Sequence, residues 1–202
     1  MEIIVYTRHA TYQGDIHIPA RGGGEGKDAE SYRLQDVLNN PLLLYKPPAP
    51  RAKKLLLKDA IFIYEGAQSL ASDRLSEVYV DPAHIEAVYD ISEKDFQSSK
   101  ADFERHLILA HHRRLELVTN SGRRISGDVN LGLRVLTNPD ADKKFFAVSP
   151  ARIEMLATGS EAENVKYVLV NRDYVEAFRD LESGEQENGQ VPDEPSNQTQ
   201  AN

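Results

Sequence analysis

Basic residues are the only side chains in this sequence whose types and placement suggest a binding chemistry. Lys53-Lys54 and Lys143-Lys144 each stand just ahead of an apolar run, residues 55–60 and 146–151. Arg123-Arg124 sits within a hairpin pattern, and Arg172 near the end of the ordered pattern. Lysine and arginine contact phosphate oxygens and position a protein on nucleic acid. The recurrence of the lysine pairs therefore makes Lys53, Lys54, Arg123, Arg124, Lys143, Lys144 and Arg172 the candidate phosphate or nucleic-acid contacts. A plainer account explains the lysines equally well: cations beside an apolar strand keep it from aggregating. That gatekeeping role is the expected one.

Catalytic and metal chemistries fail on spacing. Residues 22–27, GGGEGK, resemble a phosphate loop, but the pattern requires glycine where Arg21 stands and serine or threonine where Asp28 stands. A carboxylate there repels phosphate, so a surface loop is expected. His106, His111 and His112 cluster, yet ligands on one helix need i,i+3 or i,i+4 spacing. His111 and His112 point about 100° apart on a helix, and His9, His17 and His84 are isolated. Asp15 and Asp128 occupy corresponding places, but paired-carboxylate catalysis needs them to converge, and edge solvation is the simpler account. Zero cysteines exclude a thiol nucleophile, a thiolate metal site and disulfides. No catalytic residue, cofactor or metal site is expected.

The elements behind these residues form an internal repeat. Residues 6–18, YTRHATYQGDIHI, lie on residues 119–131, TNSGRRISGDVNL, placing Tyr12, Gly14, Ile16 and Ile18 over Ile125, Gly127, Val129 and Leu131. Both alternate with period two, so those residues share one strand face, with Thr11, Gln13, Asp15 and His17, or Arg124, Ser126, Asp128 and Asn130, on a wet face. The mid-strand glycines mark a strong bend. Residues 80–88, VDPAHIEAV, match residues 170–178, VNRDYVEAF, with Asp90 and Asp180 beyond, each reading as strand, turn and closing strand. The apolar runs at 55–60 and 146–151 form the third matched block. Three blocks in one order imply duplication: about five short strands per copy, the scale of a small β-barrel.

Copy one carries the glycine-rich loop and then an amphipathic segment over residues 31–39, where Leu34, Val37 and Leu38 share a helical face that Pro41 ends. A stiff proline-rich link, residues 47–50, follows; copy two compresses this region to residues 132–144. Residues 99–112 read as a helix with Phe103, Leu107 and Ala110 on one stripe and Ser99 as its cap. From residue 183 onward the chain is acidic with one aliphatic residue, Val191, and reads as disordered. The expected division is residues 1–92, residues 98–181 and the 183–202 tail.

The net charge is −8, of which the carboxylates at 182, 185, 187, 193 and 194 supply −5, leaving −3 for residues 1–181. Bulk attraction to nucleic acid is not expected from so mild a balance. Mean hydropathy is −0.52, no run approaches the roughly 20 apolar residues of a bilayer span, and MEIIVYT lacks a signal-peptide pattern. A cytoplasmic protein with no membrane contact is expected.

Gly14-Asp15-Ile16-His17-Ile18-Pro19, Arg33-Leu34 with Asp36, Leu38 and Asn39, and Leu57 with Asp59 and Ala60 resemble the blocks of an uncharacterised bacterial family of small β-domains. The likeness covers most of residues 3–90 and implies fold kinship without an activity. Copy two, with Leu115–Thr119, Gly122, Gly127 and residues 168–175, resembles an Sm-like domain of the SH3-type barrel class over residues 99–180. That resemblance implies a barrel, with RNA binding as its associated function. The family's Asp-x-x-x-Asn is missing here, Asn171-Arg172 stands where Arg-Gly is usual, and copy one has Asp81-Pro82 there. The expected fold is mainly β: two tandem small SH3/Sm-like barrels with short helices and a disordered tail. The expected function is non-catalytic binding or assembly with a protein partner or copies of itself; an Sm-like RNA-binding regulator is the alternative.

Overall fold

The computed structural model describes residues 1–18, 33–46, 53–64, 73–91, 112–130, 134–137, 143–156 and 162–181. Period-two alternation makes β1 (Glu2–Thr7) and β2 (Ala10–His17) a hairpin in which Ile3 stands opposite Gly14 and Val5 opposite Tyr12. β3 (Leu55–Tyr64) and β4 (Asp73–Val80) extend it. A 3-10 turn (Pro82–His84) then leads into β5 (Ile85–Asp90), which returns to pair with β1.

The second half follows the same path. β6 (His112–Thr119) and β7 (Arg123–Asn130) form the hairpin, and β8 (Phe145–Met155) extends it. β9 (Glu163–Val165) and β10 (Val168–Asn171) both pair with β8 and together take the place of β4. A 3-10 turn (Arg172–Tyr174) precedes β11 (Val175–Asp180), which closes back on β6. The fold is mainly β, and all strand pairings among the described residues are antiparallel. The described strands make one open sheet in the order β11-β6-β7-β8-β10-β5-β1-β2-β3-β4.

Corresponding residues carry corresponding pairings. Ile3 and Leu115 face Gly14 and Gly127, and they face Asp90 and Asp180 on their other sides. Both halves slip register at the glycine: Gln13 faces Ile61 but Asp15 faces Lys58, and Gly127 faces Ala151 but Val129 faces Val148. The bulge crosses the backbones closely. A Cβ on Gly14 would stand 2.9 Å from the Lys58 carbonyl oxygen, and one on Gly127 would stand 2.1 Å from that of Pro150.

The expected amphipathic segment is α1 (Leu34–Asn39), with Leu34, Val37 and Leu38 buried. Six residues do not hold a helix alone; burying three aliphatic side chains, at about 1.5–3 kcal/mol each, does. The compressed region of the second half contains α2 (Arg134–Thr137). Of the helix expected over residues 99–112, His112 already belongs to β6, where the alternation of Leu115 and Leu117 sets a strand. The rest of that helix lies outside the described residues, as do the glycine-rich loop, the proline-rich link and the 183–202 tail. Thr11, expected on a wet face, is buried, because it stands opposite Tyr6, whose ring packs into a second core.

Two cores flank the middle of the sheet and borrow from each other. The first gathers Ile3, Val5, Leu57, Ile85 and Val88 around α1, together with Phe145 and Leu169 of the second half. The second gathers Leu115, Leu117, Ile125 and Val148, together with Tyr6, Ala87 and Tyr89 of the first half. β5 is buried on both faces because its alternate residues serve different cores. No helix among the described residues is long and apolar enough to cross a membrane.

Candidate interaction edges and the charged seam between the halves

The two halves join where β10 runs antiparallel to β5, with Leu169 opposite Val88 and Val170 opposite Ala87. Beside this junction lies a buried polar cluster. Glu86, fully buried in β5, forms an ion pair with Arg123, 2% exposed at the start of β7. The Ser121 hydroxyl reaches the two Glu86 carboxylate oxygens at 2.6 and 2.8 Å. Arg123 also donates to the Thr7 carbonyl at 3.2 Å and lies over the Tyr6 ring at 4.7 Å. Burial raises the Glu86 pKa, and hydrogen bonds from Ser121 and Thr119 oppose that shift. Burial lowers Arg123 to about 10, and its electrostatic interaction with Tyr6 opposes that shift. Arg123 thus remains a cation at neutral pH.

A second polar group completes the seam. The Tyr6 hydroxyl donates to Glu163 at 2.7 Å, and the Tyr89 hydroxyl donates to the other oxygen of the same carboxylate. The two rings lie 6.1 Å apart. Burial leads the causes that push both phenols up, so both stay protonated donors at neutral pH. On the far side of the junction Asn39 of α1 clamps Phe145: its amide donates to the Phe145 carbonyl at 3.1 Å, and its Oδ1 accepts from the Phe145 N–H at 2.9 Å. Asn171 reaches the Ile85 carbonyl at 2.8 Å, and Tyr174 the Ala83 carbonyl at 2.9 Å.

The seven basic residues fall into separate surroundings. Arg123 is the buried partner of Glu86. Arg124 lies between Glu116 and Glu154, 3.7 and 3.6 Å away. Lys54 pairs with Asp81 at 2.5 Å, and Lys144 with Asp173 at 2.8 Å. Each lysine therefore braces the 3-10 turn of its own half. Burial alone would raise the Asp81 pKa, but the Lys54 hydrogen bond and the Ala83 N–H outweigh it and hold the carboxyl low. Lys53 is half-buried ahead of β3, Lys143 is exposed, and Arg172 is half-buried, its N–H donating to the Lys144 carbonyl at 2.9 Å. The structure thus brings Lys144 and Arg172 together at one corner.

Asp15 and Asp128 do not converge. They sit on β2 and β7, with four strands between them in the sheet. Asp15 lies 3.4 Å from the amino group of Met1. His106 and His111 lie outside the described residues, and no group of three metal-binding side chains occurs among those described.

The remaining feature is the pair of sheet ends. β4 and β11 each have one neighbour among the described strands, and both are mostly exposed, whereas β10 and β5 are buried. Tyr79 on β4 and Phe178 on β11 are each 42% exposed. Tyr79 packs against Tyr45 with ring centroids 5.5 Å apart and donates to Glu77 at 2.6 Å; that bond heads the causes pushing its phenol up to about 12. Glu86 carried a sequence signal, being a carboxylate followed directly by Ala87-Val88-Tyr89 inside β5. The edges carried none, since Ile85–Asp90 and Val175–Asp180 read alike. Comparison of the chain with protein-family models, with curated proteins and with solved structures finds no match in any of the three.

Proposed function

We propose that this chain is a non-catalytic binding or assembly protein, built from two duplicated small barrels of the SH3/Sm-like kind and acting through the two ends of its sheet. One observation carries the reading: β4 and β11 lie exposed, while the strands in the same places of the opposite halves, β10 and β5, are buried against each other. An edge strand offers unpaired N–H and C=O groups, and addition of a strand satisfies them. The matching strand order and register slips of the two halves support the duplication, and the return of β5 to β1 and of β11 to β6 supports the barrel kinship. The predicted partner is therefore a protein strand. RNA binding ranks second, because Lys54, Arg123, Arg124 and Lys144 already have carboxylate partners.

The test is affinity capture with the immobilised full chain, run beside a Tyr79→Lys/Phe178→Lys variant. Edge lysines discourage strand addition, so proteins held by the first and lost from the second are the expected result. Equal capture by both, or RNA retention at low salt that Arg124→Ala abolishes, would overturn it.

A further inference from the structure

Two phenols close on one carboxylate at the seam. Tyr6 of β1 and Tyr89 of β5 are 9% and 5% exposed, and their hydroxyls donate to the two oxygens of Glu163. Both rings belong to the second core, on strands in the middle of the sheet. The core therefore sets the direction of the donors, whatever accepts from them. Hydrogen bonds to an ionised carboxylate are roughly twice as strong as neutral ones, and a buried hydroxyl with no acceptor is costly. The clamp needs an acceptor and selects a carboxylate. Arg123, 4.7 Å from the centre of the Tyr6 ring, is balanced by Glu86, so the paired phenols make the selection and not an excess of positive charge.

The present occupant is lightly held. Glu163 opens β9, which is three residues long and whose one neighbour among the described strands is β8. Glu163 and Asn164 are exposed, and Val165 is only partly buried against the second core. Beyond β9 the strand breaks at Lys166 and Tyr167, where the Ser149 hydroxyl holds the Lys166 carbonyl at 2.7 Å. β10, on the other side of the break, is wholly buried. The first half has no such break: β4 runs unbroken from Asp73, which faces Phe62 as Glu163 faces Ile153. The break separates a carboxylate-bearing strip from the strand that joins the halves.

We propose that the Tyr6–Tyr89 clamp is a carboxylate-binding site, that Glu163 occupies it in place of a ligand, and that β9 is a latch the ligand displaces. The ligand is a free carboxylate or a glutamate on an extended segment. A segment that repeats the Glu-x-Val spacing of β9 also replaces its pairing with Ala151 and Ile153 of β8. The site lies away from β4 and β11, so its fate is independent of the edge reading above.

Thermal unfolding of Glu163→Ala tests the clamp. Sodium propionate should raise the melting temperature in a saturable way, because a ligand that binds only the folded state stabilises it. Sodium chloride at equal ionic strength and neutral propionamide should not. Adding Tyr6→Phe and Tyr89→Phe should abolish the rise. Where Glu163→Ala does not fold alone, the same series on Glu163→Gln, whose amide carbonyl still accepts from the phenols, decides. No rise, an equal rise with propionamide, or a rise that survives loss of both hydroxyls overturns the proposal.

Hydrogen exchange on the wild-type chain tests the latch. Displacement should quicken exchange across Glu163–Val165 and leave Val168–Asn171 unchanged. The probes are propionate and the peptide Ala-Glu-Asn-Val-Lys, which copies residues 162–166, with Ala-Gln-Asn-Val-Lys as its control. Quickening by propionate assigns the site to free carboxylates. Quickening by the glutamate peptide alone assigns it to a carboxylate carried on an extended segment. Quickening by neither, or equally by the glutamine control, overturns the proposal.

Discussion

Glu86 and Arg123 lie 37 positions apart, in different halves of the chain, and form a buried ion pair between them. Two buried charges cost several kcal/mol each to desolvate, and their mutual attraction with added hydrogen bonds offsets that cost. Ser121 and the Thr7 carbonyl supply those extra bonds. Removing one partner leaves an uncompensated charge: Glu86→Gln or Arg123→Met should each cost about 3–5 kcal/mol. The double variant should cost much less than the sum. Urea unfolding of the four proteins, arranged as a double-mutant cycle, measures this; additive losses would refute the coupling.

The glycine bulges give a graded expectation. A methyl at Gly127 would meet the Pro150 carbonyl oxygen at 2.1 Å, and one at Gly14 the Lys58 carbonyl oxygen at 2.9 Å. Both obstacles are backbone, which cannot swing aside. Overpacking typically costs about 1–3 kcal/mol, and Gly127→Ala should lie at or beyond the upper end, with Gly14→Ala below it. Thermal unfolding of the two variants checks the order.

Asn39 acts as a short strand would, exchanging two hydrogen bonds with the Phe145 backbone across the join. Asn39→Ala leaves the Phe145 N–H without that acceptor, and a buried unsatisfied group costs about 1–3 kcal/mol. Hydrogen exchange at the Phe145 amide should quicken in the variant more than exchange at Ile125, deep in the second core.

Alkaline pH should destabilise the fold. Tyr6 and Tyr89 have folded pKa values raised above their usual 10.0. A raised folded pKa means the native state holds its proton longer than the unfolded chain does. The contribution is therefore fully present below pH 10 and is lost as pH rises through the folded values. Arg123, lowered from 12.5 to about 10, works the other way, because the unfolded chain holds the proton longer. It is one group against Tyr6, Tyr89 and the likewise raised Tyr79 and Tyr174, so the melting temperature should fall as pH climbs above 10. Tyr89→Phe should make that fall shallower, and an unchanged slope would contradict the assignment.

The strand alternation around Gly14 and Gly127, the turn chemistry at Asp81-Pro82 and Asn171, and the apolar face of α1 were all legible in the sequence. Each is local: alternation sets a strand's inner face, an Asp or Asn side chain caps its own turn, and i,i+3,i+4 spacing makes a helical stripe. The lysine pairs were visible too, but their partners were not. Asp81 is 27 positions from Lys54 and Asp173 is 29 from Lys144, so only folding shows that each cation braces a turn.

What tertiary structure alone decided is how the halves meet. Ile85–Asp90 and Val175–Asp180 have nearly the same pattern, yet one is buried on both faces and the other is open to solvent. Strand pairing joins backbone groups, which every sequence carries alike, so side-chain periodicity specifies a strand's inner face but not its neighbour. The neighbour is chosen by which distant segments bury the most surface together while satisfying Glu86 and Arg123, and that sum exists only in the folded chain.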